Sequence, residues 1–401
     1  MPDVGFTNLL VVCIVALVAP LALGFAPRVR VPAVVLEILA GVVLGPSVLG
    51  WVEVDLPVSI VAVLGLAFLL FLAGLEIDVR ALRGTVLRLA LAGYAVTLVL
   101  GALVGGGLEA LGWTHSPLLL AVALSATSLG LVVPVLKDAG RLEGSLGQTI
   151  VASASVADFA AIVLLSLFFS TSESGTGTRL VLLGLFVALV AITAAAALVV
   201  SGSTRLSQTV TRLQDTTAEI RVRAAVLLLV GFVALAAHLG LETILGAFLA
   251  GAVVGLVDRD TTSHPHFRTK LEALGYGFLV PVFFVASGLR LDLAGLVDEP
   301  SALLRVPVLT VALLVVRGLP ALLLARRYDA RSVVAAGLLQ ATSLPFLVTA
   351  AQIGVATGTL SSTTAAALVC AGLLSVVAYP AVAIGLLRDS HDRRPVRDGA
   401  T

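Results

Sequence analysis

The sequence predicts an all-α polytopic membrane protein. Three observations carry that prediction: an excess of apolar residues, their arrangement in runs of membrane length, and the sidedness of the basic residues between the runs. Of the 401 residues, 59% are hydrophobic and 12% charged, with a mean hydropathy of +1.11. A soluble protein carries about a quarter of its residues as Asp, Glu, Lys or Arg, and half that density cannot coat a 40.9 kDa globule. Apolar runs of about 18 residues or more recur along nearly the whole chain. A disordered chain, a nucleic-acid binder with a basic face and an ordinary cytosolic enzyme are thereby excluded. The net charge of +1 is uninformative beside the distribution of its charges. Cys13 and Cys370 sit in apolar runs with no partner at framework or metal spacing, which argues against a disulfide or zinc site. Met1 to Asn8 contains no Lys or Arg, so the basic start of a signal peptide is not expected.

A helix crossing the hydrocarbon core needs about 20 residues. On that length, spans are predicted at 7–26, 31–50, 57–76, 86–107, 116–136, 147–170, 179–201, 221–239, 242–257, 272–289, 303–325, 331–353 and 363–387, about 13 transmembrane helices in all. The second and ninth are the weakest of these, short or rich in glycine. The odd-numbered loops and the tail after the last span hold 21 of the 25 Lys and Arg. They include Arg28, Arg30, Arg80, Arg83, Arg205, Arg212, Arg259 and Arg326. The opposite side has only Arg179, Arg290 and Arg305, and Arg317 is inside a span. The positive-inside rule then places the N-terminus outside and the C-terminus in the cytoplasm. No soluble domain is left over: the longest loop runs from about Ser201 to Glu219, and the tail is too short to fold a core.

The chain carries an internal repeat. Ala126-Thr127-Ser128-Leu129 in span five returns as Ala341-Thr342-Ser343-Leu344 in span twelve, each followed by a helix breaker, Gly130 or Pro345. Leu36-Glu37-Ile38-Leu39-Ala40-Gly41 in span two returns as Leu241-Glu242-Thr243-Ile244-Leu245-Gly246 in span nine. Both matches link a helix to the one seven places later, and an odd displacement inverts the copy across the membrane. An inverted repeat with two crossed, broken helices points to a secondary transporter site. Backbone freed at mid-membrane is tolerated only where it is buried in protein or lines a cavity. Opposed half-helix ends there can hold side chains of both charges.

Charge deep in a span costs roughly 2.5–3.5 kcal/mol on insertion scales, so Asp158 in span six and Arg317 in span eleven stand out. A carboxylate in that setting is pulled both ways, by desolvation and by a nearby Arg, and can serve as a proton carrier. Hard monovalent cations prefer oxygen ligands, which Asp158, Thr127, Ser128 and Ser155 supply. Ser155 precedes Asp158 by three residues and shares its helix face. A proton and a metal ion cannot both occupy one anionic carboxylate, and that competition suffices for exchange. An Asp158–Arg317 ion pair that only fixes packing is the structural alternative. Glu37 and Glu76 are candidate accessory carboxylates, Glu76 with Asp78 being equally an ordinary helix end. Glu242, His238, His264, His266 and the Phe283-Phe284 pair are expected to be interface, loop or packing residues. An intramembrane enzyme needs paired carboxylates within reach of one another, and Asp158 has none in the core spans, so no enzymatic activity is expected.

Leu36–Gly50, Phe68–Asp78, Ala126–Gly140, the Asp158 helix, Leu245–Gly251 and Phe283–Leu289 together resemble the monovalent cation:proton antiporter superfamily. Its Kef- and Nap-type sodium or potassium/proton exchangers are the most similar branch. The resemblance implies a homodimer in the cytoplasmic membrane, with no cofactor, that exchanges Na+ or K+ for H+ by alternating access. It further implies a scaffold from 1–78 and 220–300 (spans one to three and eight to ten) and a mobile core from 84–171 and 301–388. A linking span and loop over 179–219 and a cytoplasmic tail over 389–401 complete the division. Regulation would fall to a separate subunit. Asp158 matches the family's ion-binding aspartate, Thr127 its broken-helix threonine and Arg317 its basic core residue. Many relatives carry Asp-Asp or Asn-Asp where this chain has Ala157-Asp158, and those with two carboxylates tend to carry a lysine in place of Arg317. A single carboxylate beside a permanently charged Arg predicts electroneutral one-for-one exchange. A Na+-coupled organic-anion symporter of similar crossed-helix fold is the main alternative, although Gln340 is the sole amide near the breaks. A channel and a non-transporting membrane sensor are the others.

Overall fold

The computed structural model describes residues 5–25, 32–77, 84–169, 176–201, 219–258, 266–298 and 300–389. Arg28, Arg30, Asp78, Arg80, Arg83, Arg205, Arg212, Arg259, His264 and the tail beyond Asp389 lie outside the described residues, as does most of the 201–219 loop. The described elements are helical. In chain order they are α1 (Thr7–Phe25), α2 (Ala33–Leu44), α3 (Leu56–Leu75), α4 (Gly84–Ala110), α5 (Pro117–Ser125), α6 (Leu129–Asp138), α7 (Ser145–Phe169), α8 (Thr176–Ser201), α9 (Ile220–His238) and α10 (Thr243–Val257). There follow α11 (Phe267–Leu274), a π-helical turn (Gly275–Leu279), α12 (Val280–Leu289), α13 (Leu293–Asp298) and α14 (Pro300–Leu313). A second π-helical turn (Leu314–Gly318), a 3-10 helix (Leu319–Arg326), α15 (Ala330–Gln340), α16 (Pro345–Ala356) and α17 (Ser362–Asp389) complete the chain.

Ten helical segments among the described residues are long and apolar enough to cross a membrane, which makes this a multi-pass membrane protein. Helices α2 and α10, at 12 and 15 residues, are shorter than a bilayer core. The sequence extends span two to residue 50, but the helix stops at Leu44. Pro46 drives Gly45 to an extended backbone (φ −73°, ψ 177°), and the chain turns back through Gly50. The predicted spans ten and eleven each contain a π-helical turn that apolar periodicity does not announce.

The chain divides into two compact units, each made of two stretches: Met1–Val79 with Ile162–Leu291, and Arg80–Ala161 with Asp292–Thr401. In the first unit, α2 and α12 approach until their backbones touch. A Cβ on Gly41 would strike the Val285 carbonyl, and one on Gly288 the Ile38 carbonyl. Val12, Val58, Val282 and Ala286 form part of a buried cluster there. In the second unit, Val132, Leu136, Ile150, Leu339 and Tyr379 bring α6, α7, α15 and α17 into one apolar core. That core underlies two interrupted helices, α5–α6 and α15–α16.

Candidate functional site

Local chemistry produces both interruptions. Ser116 caps α5 by accepting from Leu119 N–H at 3.4 Å, with Pro117 in the first turn. The helix ends where Ala126 turns extended (φ −78°, ψ 156°), and Ser128 is extended too (φ −94°, ψ 95°) before α6 starts at Leu129. Asp329 caps α15 through Ser332 N–H at 3.3 Å. That helix runs to Gln340, and Thr342 to Leu344 are non-helical until Pro345 opens α16. Gly130 occupies the first turn of α6, as Pro345 does that of α16.

The two interruptions touch. Ser128 N–H donates to the Thr342 carbonyl at 2.9 Å, and the Thr127 hydroxyl donates to the Gln340 carbonyl at 2.7 Å. The start of α6 and the end of α15 are thus joined across the two interruptions, which is how irregular backbone persists inside an apolar core.

Charge of both signs converges on Thr127. The Asp158 carboxylate, reaching in from α7, accepts Thr127 N–H on Oδ1 and Leu129 N–H on Oδ2, both at 3.2 Å. It thus caps α6 from outside that helix, at the end where the peptide dipoles favour an anion. Arg317 is 1% exposed and lies in the second π-helical turn, a helix irregularity that recurs at functional sites. Its Nε donates to the Thr127 hydroxyl at 2.8 Å and its Nη1 to the Thr97 hydroxyl at 3.2 Å. Through Thr127 the guanidinium is relayed to the Gln340 carbonyl, at the C-terminal end of α15 where a cation is favoured. Asp158 and Arg317 are thus linked through a shared residue, Thr127, whose N–H serves the acid and whose hydroxyl serves the base.

The remaining sequence-predicted residues distribute as follows. Ser155 is buried one turn before Asp158, its proton committed to the Val151 carbonyl at 3.0 Å. Ser128 is buried at the α6 cap position. Thr342 back-bonds to the Leu338 carbonyl at 3.1 Å. Ser343 is fully buried, and its hydroxyl has no hydrogen-bond partner among the described residues. Glu37, buried in α2, and Glu76, at the end of α3, belong to the first unit.

Two contributors escaped sequence reasoning. Thr97 of α4 is fully buried and receives Arg317. Ser375 of α17, also fully buried, accepts Ser343 N–H at 3.2 Å, and its one proton faces the Gly372 carbonyl of its own turn at 2.7 Å and the Ser343 carbonyl at 3.0 Å. An isolated Thr or Ser in an apolar helix commonly back-bonds to its own turn, so neither position advertises itself.

An all-helical membrane protein with two broken helices meeting at a half-buried acid and a buried arginine has the architecture of an ion transporter. A family profile described as "Sodium/hydrogen exchanger, transmembrane" matches residues 13–385, and the chain belongs to that family. A Bacillus subtilis (strain 168) protein, YjbQ, described provisionally as an Na(+)/H(+) antiporter, is 32% identical over 398 residues. The match covers 95% of this chain, which spans 63% of the YjbQ length. An Na(+)/H(+) antiporter of Enterococcus hirae is 30% identical over 70% of this chain and 73% of its own. The structure of the sodium proton antiporter MjNhaP1 from Methanocaldococcus jannaschii superposes with a TM-score of 0.67. It covers 96% of this chain and 98% of that one, and at 18% identity the likeness is one of fold.

Proposed function

We propose that this chain is a secondary active transporter that exchanges a monovalent cation, Na+ or K+, for H+ by alternating access. Asp158 is the carrier in this reading. The observation that supports it is the placement of a lone carboxylate on two N–H groups of a broken helix beside a buried arginine. Among the described residues no group of three or more His, Cys, Asp and Glu side chains gathers to hold a metal. A transported ion at Asp158 therefore draws its other oxygens from hydroxyls and carbonyls, with Thr127, Ser128 and Ser155 as candidates.

The exchange is electroneutral in this account. Arg317 keeps its charge, and the single carboxylate is neutralised by either one cation or one proton. The site thus has the same net charge in both loaded forms, and membrane potential does no net work on the cycle. The second unit is the transport core and the first the scaffold of a homodimer in the cell membrane, with the C-terminus cytoplasmic. Proteoliposomes loaded with a pH-sensitive dye test the reading. Na+ or K+ gradients should drive proton flux in the wild type, insensitive to an imposed potential, and none in Asp158→Asn. An Asp158→Asn protein as active as the wild type removes the carrier, and a current carrying two protons per cation removes electroneutrality.

A further inference from the structure

The hydroxyls around Arg317 have a fixed polarity. Thr127 spends its one proton on the Gln340 carbonyl, and Thr97 spends its own on the Gly93 carbonyl at 3.0 Å. Each hydroxyl is therefore left to the guanidinium as an acceptor only. Nothing else is supplied: Arg317 Nη2 is buried and has no hydrogen-bond partner among the described residues. An arginine offers five N–H donors in a rigid fork, so this one is under-served and is held by two neutral oxygens. Among the described residues, Tyr94 of α4 and Asp158 of α7 are titratable side chains that act on its charge. Of these, the aspartate provides the anion, and the hydrogen bonds to Thr97 and Thr127 hold the fork in its present place.

We propose that Thr97 is a positioning residue that sets cation affinity by holding the Arg317 guanidinium off the Asp158 carboxylate. This deepens the exchange reading and rests on it. With Thr97 in place, Arg317 supplies its charge at a distance and leaves the carboxylate to the transported ion. Without the Thr97 acceptor, the fork retains one partner, turns to Asp158, and competes with the cation for the same oxygens. Thr97 touches neither ion, and its effect passes entirely through Arg317. The threonine methyl and hydroxyl are both buried on α4, so valine replaces the side chain at nearly equal volume and removes the hydroxyl alone, the acceptor for Arg317 together with the bond to the Gly93 carbonyl.

Initial rates of proton flux against Na+ and K+ concentration, at one fixed pH, test the proposal in reconstituted Thr97→Val and Thr97→Ser. In Thr97→Val, KM should rise about tenfold, the scale set by losing one hydrogen bond to a charged group, while the rate at saturating cation stays near the wild type. Thr97→Ser keeps the acceptor and should keep the wild-type KM. An unchanged KM in Thr97→Val, a fall in saturated rate alone, or a Thr97→Ser as impaired as the valine variant would each overturn the assignment. If Thr97→Val yields no folded protein, Thr97→Ala with cation-dependent thermal stabilisation in detergent reads the same affinity shift. Loss of the Thr97 effect with Asp158→Asn still inactive refutes this inference alone, whereas an active Asp158→Asn refutes the exchange reading beneath it.

Discussion

The two broken helices of the second unit solve one problem with opposite chemistry. At the first break, α7 offers a carboxylate, Asp158, to the N–H groups of Thr127 and Leu129. At the second, α17 offers a hydroxyl, Ser375, to the N–H of Ser343. The entry caps are reversed: the neutral Ser116 starts the first broken helix and the ionisable Asp329 starts the second. A hydroxyl can close a break but cannot exchange a proton for a metal ion near neutral pH. In the proposed exchange, the first break is thus the one that responds to ions, and the second stays closed.

The largest effect comes from erasing that difference. Asp158→Ser gives the first break the capping group of the second, and cation-driven proton flux in vesicles should fall to the level of protein-free vesicles while the protein still folds. Retained flux would break the comparison. Next is Arg317→Lys, which replaces a rigid fork by a point charge that cannot reach Thr127 and Thr97 in the same geometry. Thermal unfolding in detergent should register the loss of one hydrogen bond to a charged group, about 1.5–3 kcal/mol. Ser375→Ala leaves the buried Ser343 N–H unsatisfied and should cost about 1–2 kcal/mol in the same measurement. Its cation KM should match the wild type, since the second break carries no exchangeable group. The smallest effect is at Asp329. Its carboxylate accepts the Ser332 hydroxyl at 2.6 Å, and that bond holds its pKa below the ordinary value. The stabilisation is therefore complete above the ordinary carboxylate range and is lost as pH falls through the lower folded-state value. Asp329→Ala should cost about 0.5 kcal/mol at neutral pH and flatten the acid limb of a stability profile. Ser116, which starts the first broken helix, does not titrate and adds nothing to that limb.

Much of the frame was legible in the sequence because membrane insertion leaves coarse marks. Apolar runs of bilayer length located the helices, and Ala-Thr-Ser-Leu before Gly130 and before Pro345 located both interruptions. Asp158 and Arg317 stood out because charge in an apolar run is rare enough to need a reason. Finer features left no such trace. The end of α2 at Leu44 follows from Gly45-Pro46 inside a run that apolar counting carries onward. The π-helical turn that presents Arg317 has no periodicity of its own. Thr97 and Ser375 matter through partners 220 and 32 residues away, and no local pattern records a contact between distant helices. The link between Asp158 and Arg317 by way of Thr127, in place of the direct ion pair considered from sequence, likewise depends on side-chain placement.

Proton release on cation binding tests the central claim most directly. Purified protein in weakly buffered detergent solution at a pH where the site is protonated is titrated with NaCl or KCl, and a pH indicator follows the protons liberated. A carboxylate shared in turn by the two ligands predicts one proton released for each cation bound, and no release from Asp158→Asn. Cation binding without proton release, or release undiminished in Asp158→Asn, would contradict it.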